Sequence, residues 1–429
     1  MCDYSLFKNR REQVLDFLRR ENPELKNSMM MLFADYENSR NVFRQESSFY
    51  YLTGITEPGA VLCSYLDGTE ILYLPNYGGV REKWVSTAFK DNNEESLSKL
   101  FCVSQVKFLG QSCKSYIFPP VFAKEYYENL IFDLNAFFKN NFEYLLFSPF
   151  DNFYRNYFFQ IQIFKNILDY LPYLQDVTRD LAPLIHYMRR FKDEYEIDSI
   201  YKAIQITSMA HQTVASVISP ECFENEIQAI AESVFTQAGA MGPAFPTIVA
   251  SGKNTTILHY MDRDKKLKSD ELVVVDMGAQ YQYYSSDLTR TYPVGGKFNK
   301  EQLEIYNIVL ETQNYIESIV KPGMFLNNKN EQDLSLNHLA INFLKKMGYE
   351  KYFAHSIGHF LGLDVHDTVS NQYPLAVGDV FTIEPGLYIP ERNLGIRIED
   401  DYLMTQDGVI CLSYQLPKNP SEIEKLMEM

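Results

Sequence analysis

The residues that could do chemistry in this chain gather toward its C-terminal end, where carboxylates recur at the ends of apolar runs. Glu271-Leu-Val-Val-Val-Asp276 reads as a buried strand closed by an acid, and Asp287 follows eleven residues later in Ser286-Asp287-Leu-Thr-Arg-Thr291. Glu384 stands in Thr382-Ile-Glu384-Pro-Gly386 and Glu399 in Ile398-Glu399-Asp-Asp401. Taken singly, each is as readily a turn former or a surface residue. Together, beside β-branched neighbours that favour burial, they would be costly without cations, because an unpaired buried carboxylate is expensive. Three of the seven histidines crowd into one stretch, His355, His359 and His366. His355 and His359 have helical i, i+4 spacing, but no Glu follows His355, so the H-E-x-x-H zinc motif is absent. Gly358 and Gly362 instead predict a loop whose backbone passes close to something. For His355 a core imidazole satisfied by a hydrogen bond remains the bland alternative.

Four acids and one imidazole suit a pair of divalent ions. Two such ions about 3.5 Å apart repel by about 19 kcal/mol at an effective dielectric near 20, which bridging carboxylates offset. Oxygen-rich ligation with one nitrogen favours Mn²⁺, with Co²⁺, Fe²⁺ and Zn²⁺ within range. Arg397 and Glu399 alternate with Ile396 and Ile398, so a strand here puts the charged pair on one face. An arginine two residues from a metal-binding Glu can orient it; an ordinary cross-strand ion pair is the alternative.

To position these groups the chain offers strand signals at 272–276, 283–292, 380–384 and 396–404, and helical segments near 300–319 and 331–347. Upstream, Met188 to Ile218 reads as one long helix stopped by Pro220, and a second runs from Glu224 to Ala238, ending at Gly239. The N-terminal part opens with an amphipathic helix over 10–20. Strand-like runs follow at Met29–Phe33, Phe49–Leu52, Ala60–Cys63 and Ile71–Leu74, as expected of a mixed sheet. From Tyr126 to Leu174 no periodicity is clear. The texture changes near Thr178-Arg179-Asp180, which predicts two domains, 1–178 and 179–429.

Composition narrows the function classes. The chain has 429 residues, 46% hydrophobic and 22% charged, with a net charge of −16. That excludes wholly disordered and low-complexity classes. An acidic chain without a basic block is a poor ligand for phosphate backbones, so no nucleic-acid partner is expected. No apolar run approaches the roughly 18 residues of a membrane span. The first ten residues turn charged too soon for a secretory segment. Six scattered cysteines without a C-x-x-C pair fit free thiols in a reducing cytoplasm.

The ordered set Asp276, Asp287, His359, Glu384, Glu399 resembles the five-ligand dinuclear site of the pita-bread metallopeptidases, which include aminopeptidase P, prolidase, methionine aminopeptidase and creatinase. The resemblance is strongest to aminopeptidase P, through Thr247-Ile-Val-Ala-Ser-Gly252, Ile257-Leu-His259-Tyr260, Ser286-Asp287-Leu-Thr-Arg-Thr-Tyr-Pro293, Gly362-Leu-Asp-Val-His-Asp367, Glu384-Pro-Gly-Leu-Tyr388 and Arg397-Ile-Glu-Asp-Asp401. Phe43-Arg-Gln-Glu-Ser-Ser-Phe-Tyr-Tyr-Leu-Thr-Gly54 with Thr56-Glu-Pro58 resembles that family's N-terminal signature, so the likeness spans nearly the whole chain, weakest from about 105 to 180. One departure is Thr368-Val369, where the family commonly has Val-Gly.

The resemblance implies an α+β fold, a pita-bread catalytic domain preceded by a smaller mixed α/β domain. It implies a metal-dependent Xaa-Pro aminopeptidase acting on peptides with proline in second position, and a homo-oligomer. Asp276 would chelate one of two divalent ions, Asp287 and Glu399 would bridge them, and His359 and Glu384 would complete the shell. A hydroxide between the ions would attack the scissile carbonyl. Glu384 would relay the proton, and His259 and His366 would hold substrate and stabilise the oxyanion, with Arg397 supporting. His355 would line the proline pocket. The rival readings are an Xaa-Pro dipeptidase with the same site, a non-catalytic pita-bread binding module, and a creatinase-like enzyme acting on a small guanidino compound.

Overall fold

The computed structural model describes residues 4–21, 25, 27–38, 42–90, 93–119, 121–140, 144–148, 158–367 and 373–428. Thr368 and Val369 lie outside the described residues. The chain divides into two compact units, Met1–Met188 and Arg189–Met429.

In the first unit the apolar runs zip into one mixed six-stranded sheet. Its strands are β1 (Met29–Phe33), β2 (Val61–Tyr65), β3 (Glu70–Leu74), β4 (Gln105–Phe108), β5 (Leu145–Ser148) and β6 (Thr178–Asp180), in the order β4-β3-β2-β1-β5-β6. β1–β2 and β2–β3 are antiparallel; β1–β5, β3–β4 and β5–β6 are parallel. β1 and β3 are buried throughout, so both sheet faces are covered and the strands read as continuous apolar runs rather than alternating ones. The helices of this unit are α1 (Tyr4–Glu21), α2 (Ser47–Thr53), α3 (Glu94–Leu100), α4 (Glu128–Asn140), α5 (Phe158–Tyr170) and α6 (Ala182–Arg190), whose last two residues belong to the second unit; α4 and α5 share the sheet's core. The stretch without clear periodicity thus supplies two helices and an inner strand next to the edge.

Two expectations fail here and just beyond. Phe49–Leu52 is not a strand but the middle of α2. The Glu46 carboxylate accepts from the amides of Ser48 and Phe49, and that cap outweighs the strand preference of Phe-Tyr-Tyr. Gly54 ends the helix at φ +63°, with the Phe7 ring where a Cβ would sit. The long helix expected from Met188 is two, α6 and α7 (Glu194–Val217). The break at 191–193 is set by a capping box in which Asp193 accepts from the Glu196 amide and Glu196 reaches back to the Asp193 amide.

In the second unit α7 and α8 (Glu224–Gln237) pack on strands β7 (Gly242–Pro243), β8 (Ile248–Ser251), β9 (Leu272–Met277), β10 (Ala279–Tyr281), β11 (Tyr284–Ser285) and β12 (Leu288–Pro293). β8, β9 and β12 form an antiparallel sheet with β9 central. Then come α9 (Lys300–Ile319), α10 (Leu336–Met347), β13 (Val380–Ile383), β14 (Gly386–Ile389), β15 (Leu394–Arg397), β16 (Asp400–Thr405), β17 (Gly408–Cys411) and α11 (Pro420–Met427). β16 lies between β13 and β17, and β14 pairs with β15, all antiparallel. One core joins Val273, Val275, Ile305, Val309, Ile396 and Ile398, so the apolar side of β9 and of the 396–398 segment faces the helices. The opposite side is free for polar groups.

Candidate active site

The pairing of these strands carries the candidate residues to one place. Asp276, near the end of β9, is in register with Thr289 of β12, and Thr289 forms a bridge with Glu399 between β15 and β16. Asp287 immediately precedes β12, and its amide donates to Asp401 Oδ2 at 3.1 Å. Glu384 follows β13. His359 lies in a loop that runs against β13: its amide donates to Thr382 Oγ1 (3.2 Å), the Thr382 amide donates to its carbonyl (2.9 Å), and the Glu384 amide donates to Ile357 O (2.8 Å). Any Cβ at Gly358 would collide with the Thr382 carbonyl oxygen, which accounts for a glycine beside His359.

Around His359 Nε2 stand Asp287 Oδ2 at 3.3 Å, Glu384 Oε1 at 3.6 Å and Glu399 Oε1 at 3.9 Å. The Asp287, His359 and Glu399 ligand atoms form a group that could hold a metal ion. His359 Nδ1 lies 3.1 Å from the Phe360 carbonyl; a proton there leaves the Nε2 lone pair aimed at the acids. Thr289 Oγ1 donates to Glu399 Oε2 at 2.7 Å, fixing the orientation of that carboxylate. Asp276 and Glu399 are both buried, and so is Asp287.

Electrostatically the cluster has more buried acids than the single guanidinium of Arg397 can balance. Burial, reinforced by the Asp276 charge, pushes the Asp287 carboxyl well above its usual range. Burial and the Asp287 charge do the same to Glu399, and Asp401 is raised by the same two causes. Glu384 is pushed up to about 7 by burial, against the pull of His359. Oδ1 of Asp276 and Oδ1 of Asp287 are buried without a hydrogen-bond partner among the described residues. Orphaned hard oxygens, buried acids driven toward neutrality and one free imidazole nitrogen are a donor set that divalent cations fit.

Arg397 does not reach Glu399, the residue two positions on. Its Nη2 donates to Asp276 Oδ2 at 2.6 Å, its Nε to Thr289 Oγ1 at 3.2 Å and its Nη1 to the Tyr388 hydroxyl at 2.8 Å. Tyr388 OH in turn lies 2.8 Å from His355 Nε2, while His355 Nδ1 sits 2.8 Å from the Ser356 carbonyl. His355 is lowered to about 4 by burial and by the Arg397 charge. An unbroken chain of hydrogen bonds therefore links Asp276, Arg397, Tyr388 and His355.

His366 is exposed, and its ring meets that of His359 edge-on at 4.2 Å between centroids. His259 is also exposed, close enough to His355 for its charge to disfavour protonation there. All the residues singled out from the sequence thus lie in this region of the second unit, with Asp287, Glu384, Glu399 and His359 closest. Sequence reasoning did not single out Tyr388 or Thr289. Thr289 sits two residues from Asp287 and in register with Asp276, so strand alternation was the signal that could have found it; Tyr388 sits four residues from Glu384 and pairs with Gly395, and only the fold brings it to Arg397.

Comparison with known proteins points the same way for both units. The model of metallopeptidase family M24 matches residues 198–406, and that of the aminopeptidase P N-terminal domain matches residues 7–117. The Xaa-Pro aminopeptidase of Haemophilus influenzae is 30% identical, over 94% of this chain and 93% of its own. The Xaa-Pro dipeptidase of Pyrococcus horikoshii is 40% identical over 58% of this chain and 67% of its own. Zinc-substituted Escherichia coli aminopeptidase P in complex with product superposes with a TM-score of 0.83 at 27% identity, covering 100% of this chain and 98% of that one. With an α+β pita-bread unit behind an aminopeptidase P N-terminal unit, the chain belongs to metallopeptidase family M24 and, within it, to the aminopeptidase P type.

Proposed function

We propose that this chain is a metal-dependent Xaa-Pro aminopeptidase, releasing the N-terminal residue from peptides whose second residue is proline. The observation that carries the reading is the convergence of Asp287, Glu384 and Glu399 on His359 Nε2 with Asp276 alongside, a buried negative site with orphaned oxygens. Asp276, Asp287, His359, Glu384 and Glu399 would hold two divalent ions, Mn²⁺ by the hardness of the donors. Bound ions would make water a nucleophile at neutral pH and polarise the scissile carbonyl.

This chain's own groups supply the rest. Glu384 presents Oε1 toward His359 and Oε2 toward His355 Nδ1 at 3.8 Å, so one carboxylate can serve the ions and pass a proton to the leaving proline nitrogen. His366 and His259, exposed at the edge of the site, would hold substrate and donate to the developing oxyanion. Arg397 fixes Asp276 and, through Tyr388, the orientation of His355 in the proline pocket. Two further readings extend the notion of a resident peptidase. The free Cys63, Cys102, Cys113, Cys222 and Cys411 support a cytoplasmic location. Exposed Trp84, Phe132 and Phe158 supply apolar surface for a homo-oligomer. No helix among the described residues is long and apolar enough to cross a membrane.

The dipeptidase is the second reading, and the 40% identity to one such enzyme favours keeping it in the test. A dipeptidase must capture the free carboxylate beyond proline, and longer peptides put an uncharged amide there. We expect a tripeptide or longer Xaa-Pro substrate to be cleaved at least as well as the Xaa-Pro dipeptide, only after Mn²⁺ is restored to chelated protein. A steep fall in kcat/KM beyond two residues assigns the chain to the dipeptidases instead.

A further inference from the structure

Glu224, the first residue of α8, is fully buried, yet its hydrogen-bond partners are all uncharged donors. Oε1 accepts from the Ser251 amide at 2.7 Å, the Ser251 hydroxyl at 2.8 Å and Asn254 Nδ2 at 3.2 Å. Oε2 accepts from the Tyr260 hydroxyl at 3.0 Å and the Lys265 amide at 3.2 Å. The Lys265 ammonium goes elsewhere, to Ser251 O and Glu271 Oε2. Burying a carboxylate costs stability unless donors satisfy it, and here five converge.

Four of the five come from the segment 251–260, which contains motif residues that metal binding leaves unexplained. The other side of this segment is held too. Thr255 Oγ1 accepts from the Gly395 amide at 2.7 Å, and a Cβ at Gly395 would collide with the Thr255 carbonyl oxygen. The segment is clamped between Glu224 and β15, the strand that ends in Arg397. Tyr260 is buried while His259, its neighbour, is exposed, and among the described residues the His259 ring makes no hydrogen bond. The place of His259 is therefore set by the backbone that Tyr260 anchors.

We propose that Glu224 is a positioning residue for Xaa-Pro cleavage: its carboxylate gathers Ser251, Asn254 and Tyr260 and thereby fixes His259 against the substrate. This rests on the substrate-contacting role of His259 given above. In Glu224→Gln an amide replaces one carboxylate oxygen, so a donor must face donors on one side of the clamp.

A double-mutant cycle with His259→Ala separates positioning from mere stability, because residues acting through one another do not add. In the metal-loaded enzyme Glu224→Gln should lower kcat/KM for an Xaa-Pro tripeptide on the order of 10²-fold, mainly through kcat, the cost of an ångström-scale misplacement. Metal content should stay at the wild-type level. In the His259→Ala background the same change should cost less than about 3-fold. Losses that multiply in the double variant, or that follow metal content or unfolded fraction, overturn the proposal. If Glu224→Gln does not fold, Tyr260→Phe removes a single bond of the clamp and enters the same cycle with the same two outcomes. Should His259→Ala cleave at the wild-type rate, the role given to His259 falls and the proposal with it. A slow His259→Ala with a multiplicative cycle sinks Glu224 alone.

Discussion

Stripped of divalent ions, the folded chain should lose stability as pH rises through neutrality, and Glu384→Gln should remove much of that loss. Burial raises the Glu384 carboxyl from 4.5 to about 7 in the metal-free site. An acid whose folded value is raised binds its proton more tightly when folded. Its favourable contribution is complete below 4.5 and is lost as pH climbs through about 7. That displacement corresponds to about 3 kcal/mol. Asp287 and Glu399 shift in the same direction and steepen the fall. Two histidines oppose it: His355 and His211, lowered by burial to about 4 and about 3, bind protons better when unfolded, so they add stability as pH rises toward 6.5. The wild-type curve mixes these effects, and the difference between wild type and variant isolates Glu384. Urea unfolding of both chelated proteins across the acid-to-neutral range measures it. Glu384→Gln should gain about 3 kcal/mol on wild type between pH 4.5 and 7. A flat difference, or one of opposite slope, would refute the burial argument. With ions restored the dependence inverts, because the ions bind ionised acids and their affinity rises with pH.

Arg397→Met strips Asp276 and Tyr388 of their shared donor, and breaking a buried pair of this kind should cost about 3–5 kcal/mol in urea unfolding. A loss under about 1 kcal/mol would mean that solvent replaces the guanidinium. Asp287→Asn should lose bound metal together with turnover, since an amide supplies no charge. His366→Ala should lower kcat while keeping about two ions per chain by elemental analysis. Equal metal loss in both would erase the division between ligands and substrate contacts. Gly358→Ala forces a methyl into the Thr382 carbonyl, so an overpacking cost of about 1–3 kcal/mol should accompany weaker metal binding through His359. Unchanged metal affinity in a titration would show that the loop yields freely.

The candidate site was legible because its residues stand where local pattern is strongest. Asp276 ends an unbroken apolar strand, and Arg397, with its flanking isoleucines, follows plain alternation. The partner of Arg397 was not legible: strand register, not proximity in sequence, pairs it with Asp276. The helix over Ser47–Thr53 was misread because its signal is one capping carboxylate, Glu46, in front of residues that favour strands. The break before α7 was written in Asp193-x-x-Glu196, a capping box hidden inside a longer helical periodicity. The Tyr126–Leu174 stretch folds around the sheet with aromatic contacts such as Phe147 against Phe164 at 3.8 Å between centroids, and such packing leaves no simple period. Glu224 gave no signal at all, because its role depends on a segment that only the fold brings to it.

The strand ladder that unites the site also dictates when it can form. Arg397 meets Asp276 across 121 residues of sequence, and Thr289 meets Glu399 across 110. Contacts of such separation are made late in folding, since loop-closure entropy must be spent before they reward the chain. The acids on β9 and before β12 therefore emerge from synthesis with neither Arg397 nor His359, Glu384 and Glu399 in place. On the proposed ligand set, ions would latch this fold after β15 has docked rather than nucleate it. Chains truncated before β15 lack both Arg397 and Glu399 and should bind divalent ions far more weakly in equilibrium dialysis, while in the complete chain ion capture marks the final event of assembly.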